Sequence, residues 1–305
     1  MFCYKRKDFY IEFRDLRYFI DLVESESYHA TAQKNQVTRP AISAMVKRLE
    51  EECGVQLVFK KSSQAPLVIT PAEQVLYKRA KKLVKEENLI KIQVKRANAN
   101  NFRLGYSELA GKAWLASVIT HLNQGRMLAN IETKEENSHL LEQHLREGRF
   151  DVIVFSRLGD EPLPGIKTTP LQRYQYVLVV AKDSPLAQLD EIRIAEIKDT
   201  PLIMRHKRFL SRTSLDRLFA KTGFQPTKKL IVDNIDATLQ LVRQGMGVSY
   251  LMDIAVENVP CVKAIPLVPS QLSYCYSSLG IRENFIPNEV QKQYLEILKK
   301  NQDLN

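Results

Sequence analysis

Between Leu16 and Glu51 the apolar positions recur every three or four residues in three short bursts separated by polar turns. That spacing predicts three small helices, each burying one face. Leu16, Phe19, Ile20 and Val23 form the first face, with Asp15 as the expected N-cap. Ser27 is expected to cap a second helix through about Gln33. Asn35-Gln36-Val37 then turns the chain, and Thr38 caps a third helix that tolerates Pro40 in its first turn and ends at Gly54. At ~100° per residue, Ile42, Met45, Val46 and Leu49 gather on one side of this third helix. Arg39, Ser43 and Lys47 repeat on another side, and Arg48 extends the polar sector. One face can pack on helices while the other enters a groove, as in a helix-turn-helix reader of the DNA major groove.

Two short strands, Val55–Phe59 and Leu67–Ile69, are expected around a polar loop that carries Lys60 and Lys61, a candidate basic wing beside the DNA backbone. Thr70-Pro71-Ala72-Glu73 is a strong helix start, with a Thr cap, Pro at the first helical position and Glu completing a capping box. The helix it opens should run to about Ala97, roughly 40 Å. Ala72, Leu76, Ala80, Leu83, Ile90, Val94 and Ala97 form a seam along it, broken by Glu87. Such a seam fits a partner helix in a dimer, and it fits packing on its own domain equally well.

Beyond Asn98–Asn101 strands and helices alternate. Phe102–Ser107, Ala129–Glu135 and Asp151–Ser156 read as strands, with helices at Lys112–Gln124 and Ser138–Glu147 between them; this βαβαβ order predicts a parallel sheet. A second such unit has strands at Tyr176–Ala181, Pro201–Met204, Lys229–Asp233 and Val248–Leu251, and helices near Ser214–Thr222 and Asp236–Gln244. Gln271–Ile281 looks like a return strand and Pro287–Lys300 a closing helix.

Charge sharpens this division. The whole chain is formally +10, but residues 1–100 hold 19 Lys+Arg against 12 Asp+Glu, or +7, leaving +3 for the remainder. A basic head on a nearly balanced body suits polyanion binding, although a solubilising surface would show the same excess. Cys3, Cys53, Cys261 and Cys275 lie far apart with no CxxC or Cys/His cluster, so neither a disulfide framework nor a zinc site is indicated. Residues 1–13 are aromatic and basic but too interrupted by charge for a signal peptide, and no apolar run approaches a membrane span. The expectation is a cytoplasmic protein with a short N-terminal extension or a start codon set too far upstream.

With these residues in view the chain resembles the LysR-type transcriptional regulators, from Phe13 nearly to its end. The resemblance is carried by Asp15-Leu16-Arg17-Tyr18-Phe19, Ser27-Tyr28 with Ala32, Arg39-Pro40-Ala41-Ile42-Ser43, Lys47-Arg48-Leu49-Glu50, Gly54-Val55-Gln56-Leu57 and Ile69-Thr70-Pro71-Ala72. In the body it rests on Arg103-Leu104-Gly105, Glu147-Gly148-Arg149-Phe150-Asp151 and Val242-Arg243-Gln244-Gly245-Met246-Gly247-Val248. It implies an α/β chain with a winged helix-turn-helix at 14–70 (helix-turn-helix about 28–47) and a linker or dimerisation helix at 71–98. Two Rossmann-like lobes of periplasmic-binding-protein type would follow, lobe I from 102–173 plus 275–305 and lobe II from 174–274. The chain would cross between them near Arg173–Gln175 and Val268–Tyr274. It further implies a homodimer through the linker helix, assembly as a homotetramer, double-stranded DNA as partner, and a small-molecule effector that alters contacts at the promoter. Where the family usually has Gln, Leu, Arg-Gln and Gly, this chain has Arg39, Asn35, Ala44-Met45 and Glu73. Arg39 would favour a guanine or a phosphate, and Asn35 at a core position needs a hydrogen-bond partner.

The DNA-binding candidates are therefore Thr38, Arg39, Pro40, Ser43, Ala44, Lys47, Arg48, Lys60 and Lys61, with Arg39 and Ser43 placed for base edges and the remaining cations for phosphates. By the same resemblance, effector contacts fall at strand ends and helix starts: Ser107, Glu108, Asn137, Ser138, Ser156, Arg157, Arg205 and His206. The run Arg205-His206-Lys207-Arg208 suggests a carboxylate or phosphate on the effector, an ordinary charged surface is the competing account, and Glu108 opposes strong anion selectivity. No catalytic, metal or cofactor site is indicated. His139 and His144 are five apart and share no helix face, and the glycines make no dinucleotide fingerprint. A two-lobed small-molecule-binding protein or enzyme with a basic assembly domain is the alternative reading.

Overall fold

The computed structural model describes residues 10–59, 68–159 and 161–300. The chain divides into two compact units, Met1–Lys95 and Arg96–Asn305.

In the first unit, α1 (Phe13–Ser25), α2 (Tyr28–Lys34) and α3 (Arg39–Cys53) enclose a core of Phe19, Leu22, Ala32, Ile42, Met45, Val46, Leu49 and Leu57. The expected caps form: the Ser27 hydroxyl accepts from the Ala30 N–H at 3.2 Å and that of Thr38 from the Ala41 N–H at 3.4 Å, each satisfying an N–H that the helix leaves orphaned. Gly54 closes α3 in the left-handed region, at φ +66°. Asn35 finds its partners in the Asp21 carboxylate (2.8 Å) and the Thr31 carbonyl (3.0 Å). Asp15 is not a cap. The helix starts two residues earlier, after Glu12, which leaves Asp15 inside the first turn with its carboxylate buried.

The strands β1 (Val58–Phe59) and β2 (Val68–Ile69) pair antiparallel, β1 beginning three residues later than the sequence suggests. Glu50 holds the chain entering them, accepting from Leu57 N and Val58 N at 2.8 and 3.1 Å. Then α4 (Pro71–Arg96) opens as expected, the Thr70 hydroxyl accepting from the Glu73 N–H at 3.0 Å. Burial pushes the Glu73 carboxyl above its ordinary range, against a hydrogen bond with the Thr70 backbone. The seam of α4 splits in two. Ala72 and Leu76 pack on the helical core and Ala80 is fully buried, whereas Leu83, Ile90 and Val94 are 51%, 53% and 70% exposed. Glu87, the break in the seam, pairs with Arg17 of α1 and, at 2.7 Å, with Lys91.

The second unit is built on one mixed sheet whose strands lie in the order Ile131–Glu135, Phe102–Tyr106, Val152–Arg157, Tyr274–Arg282, Ile166–Ala181, Val248–Met252, Leu202–Met204, Lys229–Ile231, with Val262–Pro266 also on Ile166–Ala181. Its first βαβαβ segment comprises β3 (Phe102–Tyr106), α5 (Glu108–Ala110), a π-helical turn (Gly111–Leu115), α6 (Ala116–Gln124), β4 (Ile131–Glu135), α7 (Ser138–Arg146) and β5 (Val152–Arg157). Here β3 lies parallel to both β4 and β5. After β6 (Ile166–Ala181), the second segment comprises β7 (Leu202–Met204), α8 (Leu210–Thr222), β8 (Lys229–Ile231), α9 (Ile235–Arg243) and β9 (Val248–Met252), with β7 parallel to β8 and β9. The chain closes through β10 (Val262–Pro266), β11 (Tyr274–Arg282) and α10 (Glu289–Lys300).

Purely parallel pairing is thus corrected. The two strands that run between the lobes, β6 and β11, pair antiparallel with each other from Ile166↔Arg282 to Gln175↔Tyr274. Beyond Gln175, β6 turns its pairing to β9 and β10, so the strand expected at Tyr176–Ala181 is the second half of a 16-residue strand. Three apolar cores result among the described residues of this unit, the smallest around Leu141, Leu145, Phe150, Ile153, Phe155 and Ile166. Of the larger two, one centres on Phe102, Trp114, Val152 and Tyr294, the other on Tyr176, Leu178, Ile203, Leu239 and Leu251.

At the base of the first lobe Asp151, 1% exposed, takes Arg96 at 2.9 Å, Arg103 at 3.0 Å and the Arg103 N–H at 2.9 Å. Beside it the buried Arg282 donates to the carbonyls of Leu145 and Phe150 at 3.0 and 2.6 Å. Burial draws the Arg282 pKa down to about 10, against the attraction of Asp151. The left-handed Gly148, at φ +73°, turns the chain from α7 into this cluster.

Candidate nucleic-acid interface and effector cleft

Thr38, Arg39, Pro40, Ser43, Ala44 and Lys47 are all exposed on α3, while Ile42, Met45, Val46 and Leu49 fill the core behind them. The face is what the 3.6-residue period requires. Met45, one of the departures from the family pattern, is fully buried, as its place on the apolar side of α3 predicts. Arg48, assigned to phosphate, reaches back to α1 and forms a two-point fork on buried Asp15, Nε–Oδ2 3.0 Å and Nη2–Oδ1 2.8 Å. A fork of this kind on a buried carboxylate positions the two helices. Among the described residues Lys47 has only a loose contact, with Glu51 at 3.7 Å. Lys60 and Lys61 lie outside the described residues.

In the second unit a cleft of about 520 Å³ opens where the carboxyl ends of strands meet helix starts, the usual ligand position in open α/β sheets. Ser107, Glu108, Asn137, Ser138, Ser156 and Arg205 line it as the sequence reading expects. Ser138 accepts from the Ser156 N–H at 3.2 Å, and the hydroxyls of Ser107 and Ser156 stand 3.4 Å apart. Asn137 caps α7 through Leu140 N at 3.1 Å.

Arg205 is the most constrained charge in the cleft. Only 7% exposed, it donates from Nε to the Asp233 carbonyl at 2.9 Å and from Nη2 to Glu108 at 2.6 Å, and it stacks 3.6 Å from the centre of the Phe209 ring. Arg208 pairs with Asp233 at 2.7 Å. Glu136, also in the lining, meets Lys134 and His144, each at 2.6 Å. Burial raises its carboxyl, but the hydrogen bonds with Lys134 and His144 outweigh that and hold it below the usual carboxylate range.

Two expected contacts are not in the lining. Arg157 follows Ser156 on β5 and so points to the other face of the sheet, where it donates to the Glu161 carbonyl and, at 3.4 Å, to Thr168. His206 is exposed and offers only its backbone N–H, to Asp233 at 3.0 Å. The cleft adds Phe209, Ser211, Asp233, Asn234, Leu251 and Met252. Asp233 and Asn234 sit at a strand end before a helix, the same rule that identifies Asn137 and Ser138, and applying it to the second lobe would have found them.

Behind the cleft Cys275 is buried, and burial pushes its thiol up to about 11, which makes it a poor nucleophile. Among the described residues no cluster of His, Cys, Asp and Glu could hold a metal ion, and no helix is long and apolar enough to cross a membrane.

A family model described as "LysR substrate binding domain" matches residues 95–302, and one described as "Bacterial regulatory helix-turn-helix protein, lysR family" matches residues 13–72. The chain belongs to the LysR family. These are transcriptional regulators that join a helix-turn-helix to an effector-binding domain, not enzymes. This LysR-family chain is 25% identical over 290 residues to the malolactic fermentation system transcriptional activator of Lactococcus lactis subsp. lactis (strain IL1403), covering 95% of this chain and 98% of that protein. It is 28% identical over 247 residues to the regulator BenM of Acinetobacter baylyi (strain ATCC 33305 / BD413 / ADP1), covering 79% and 80%. Full-length BenM shares its fold, with a TM-score of 0.55 at 23% identity over 96% of each chain. The effector-binding domain of QuiR, solved in complex with shikimate, has a TM-score of 0.56 at 22% identity over 67% of this chain and 98% of that one.

Proposed function

We propose that this LysR-family regulator reads its operator through the start of α3 and responds to a small acidic effector held in the cleft beside Arg205. The observation that carries the DNA half is the exposed row Arg39, Ser43, Lys47 over a core-facing row. Arg39 and Ser43, at the helix start, reach base edges, with Thr38, Pro40 and Ala44 against the groove wall. Lys47 serves phosphate, and Arg48 sets the angle of α3 through Asp15. The exposed half of the α4 seam, Leu83, Ile90 and Val94, supports a homodimer through this helix, and pairs of dimers would make the homotetramer. Work on DNA places the protein in the cytoplasm.

Arg39→Ala is expected to lower discrimination between operator and random DNA by about 1–3 kcal/mol, whereas Lys47→Ala weakens both alike and reduces the salt slope by about 1. Salt-dependent binding isotherms on both DNAs check this; equal losses for the two variants would remove Arg39 from base reading. For the effector half, the supporting geometry is a buried guanidinium in a cleft with hydroxyls and an amide around it and apolar walls of Leu109, Leu140 and Phe209. Filling it with Ser138→Tyr is expected to abolish the effector-dependent change in the promoter footprint. A full effector response in that variant would move the ligand elsewhere.

A further inference from the structure

We infer that Glu108 is a tethered occupant of the effector's anion subsite, so that a carboxylate-bearing effector binds by displacing Glu108 from Arg205. This rests on the cleft being the effector site, and it says what the effector must overcome there.

Arg205 is built as a receptor. Its Nε is anchored to the Asp233 carbonyl, its plane is stacked on Phe209, and it is buried; none of these holds depends on Glu108. A preformed guanidinium needs an anion, because a buried unpaired charge is strongly unfavourable. Glu108 supplies one, and it is the more exposed partner, its side chain 33% accessible against 6% for Arg205. Its fit is incomplete. Glu108 accepts one hydrogen bond from Arg205, from Nη2, where a free carboxylate can offer both oxygens to the fork.

The surroundings are prepared for such a ligand. The Ser211 hydroxyl is buried in the cleft lining with no hydrogen-bond partner among the described residues, and the Ser107 hydroxyl makes a long 3.4 Å contact with that of Ser156, which also meets the Cys275 thiol. Arg208, paired with Asp233 at 2.7 Å and with its side chain 58% accessible, is the weaker receptor, because solvent screens its charge. The effector class that follows is a small carboxylic acid with an apolar body for Leu109, Leu140 and Phe209, to whose hold a hydroxyl or carbonyl on Ser211 would add. The tether sets a threshold: bare small anions compete poorly with an intramolecular carboxylate, and the apolar body must add the difference.

The test measures binding of benzoate and of its neutral isostere benzamide to the full chain by isothermal titration. Glu108→Gln is expected to bind benzoate about tenfold more tightly than wild type with benzamide unchanged, and adding Arg205→Gln should remove the gain. Glu108→Asp, which keeps the charge but shortens the reach, should show part of the gain and guards against a folding defect in the first variant. Equal benzoate affinity in wild type and Glu108→Gln, or no benzoate binding in either, overturns the tether. Adding Ser138→Tyr to Glu108→Gln separates the two claims. Loss of benzoate binding there keeps the cleft as the site whatever Glu108 does, and persistence of the gain shows that the anion binds outside the cleft.

Discussion

Asp151→Asn is expected to destabilise the effector-binding unit by about 3–5 kcal/mol, the cost of breaking a buried ion pair from one side. The substitution keeps the shape of the side chain and removes its charge, leaving Arg96, Arg103 and the neighbouring Arg282 guanidinium without a counter-anion in a region almost closed to solvent. Two of the carboxylate's acceptor positions serve guanidiniums and a third contact serves the Arg103 N–H that opens β3; an amide can accept at only one of its two polar atoms. The loss should therefore appear as a lower denaturant midpoint with an unchanged slope. A variant within about 0.5 kcal/mol of wild type would show that the cluster is neutralised by other means.

Gly247→Ala is the second large effect, at about 2–4 kcal/mol. Gly247 has φ +158°, and an added Cβ would lie 2.4 Å from the Pro201 carbonyl oxygen, a backbone atom that cannot rotate away. That same oxygen accepts from the Val248 N–H at 2.9 Å and starts the parallel pairing of β7 with β9. Relief of the clash must therefore pull apart the starts of β7 and β9, and β7 runs from there to Arg205. Urea denaturation should show the loss, and a ligand that responds to wild type should bind the variant more weakly; wild-type stability would mean that the β7–β9 junction yields at no cost. Gly245, at φ +71° with open space around it, tests dihedral strain alone by comparison.

Much of the molecule is legible in its sequence because the deciding interactions are local. Ser27, Thr38, Thr70 and Gly54 act on residues within four positions, so caps and helix limits could be placed before any fold was known. The first half of β6 could not. Lys167-Thr168-Thr169-Pro170-Leu171-Gln172-Arg173 is polar and carries a proline, and it becomes strand only because β11, some hundred residues later, offers a register with an irregularity at Ser277 and Ser278 that accommodates it. β10 is missed for a related reason: five residues, ending in proline, with β6 as partner on one side. In the cleft, contacts at strand ends were within reach, and strand alternation alone separates Ser156 from Arg157. The pairing of Arg205 with Glu108 spans 97 residues, so the sequence shows two opposite charges and not that one occupies the other.

The same distinction decides what can be changed in α3. Its polar face offers five substitutable positions by inspection, yet Arg48 is fastened to Asp15, 33 residues away in the chain. A reading helix transplanted from a relative to retarget this regulator would have to bring an arginine at 48 or take residue 15 with it, since an aspartate left buried alone would tilt or loosen the graft. Arg39, Ser43, Ala44 and Lys47 carry no such obligation, and specificity can be rewritten there one residue at a time.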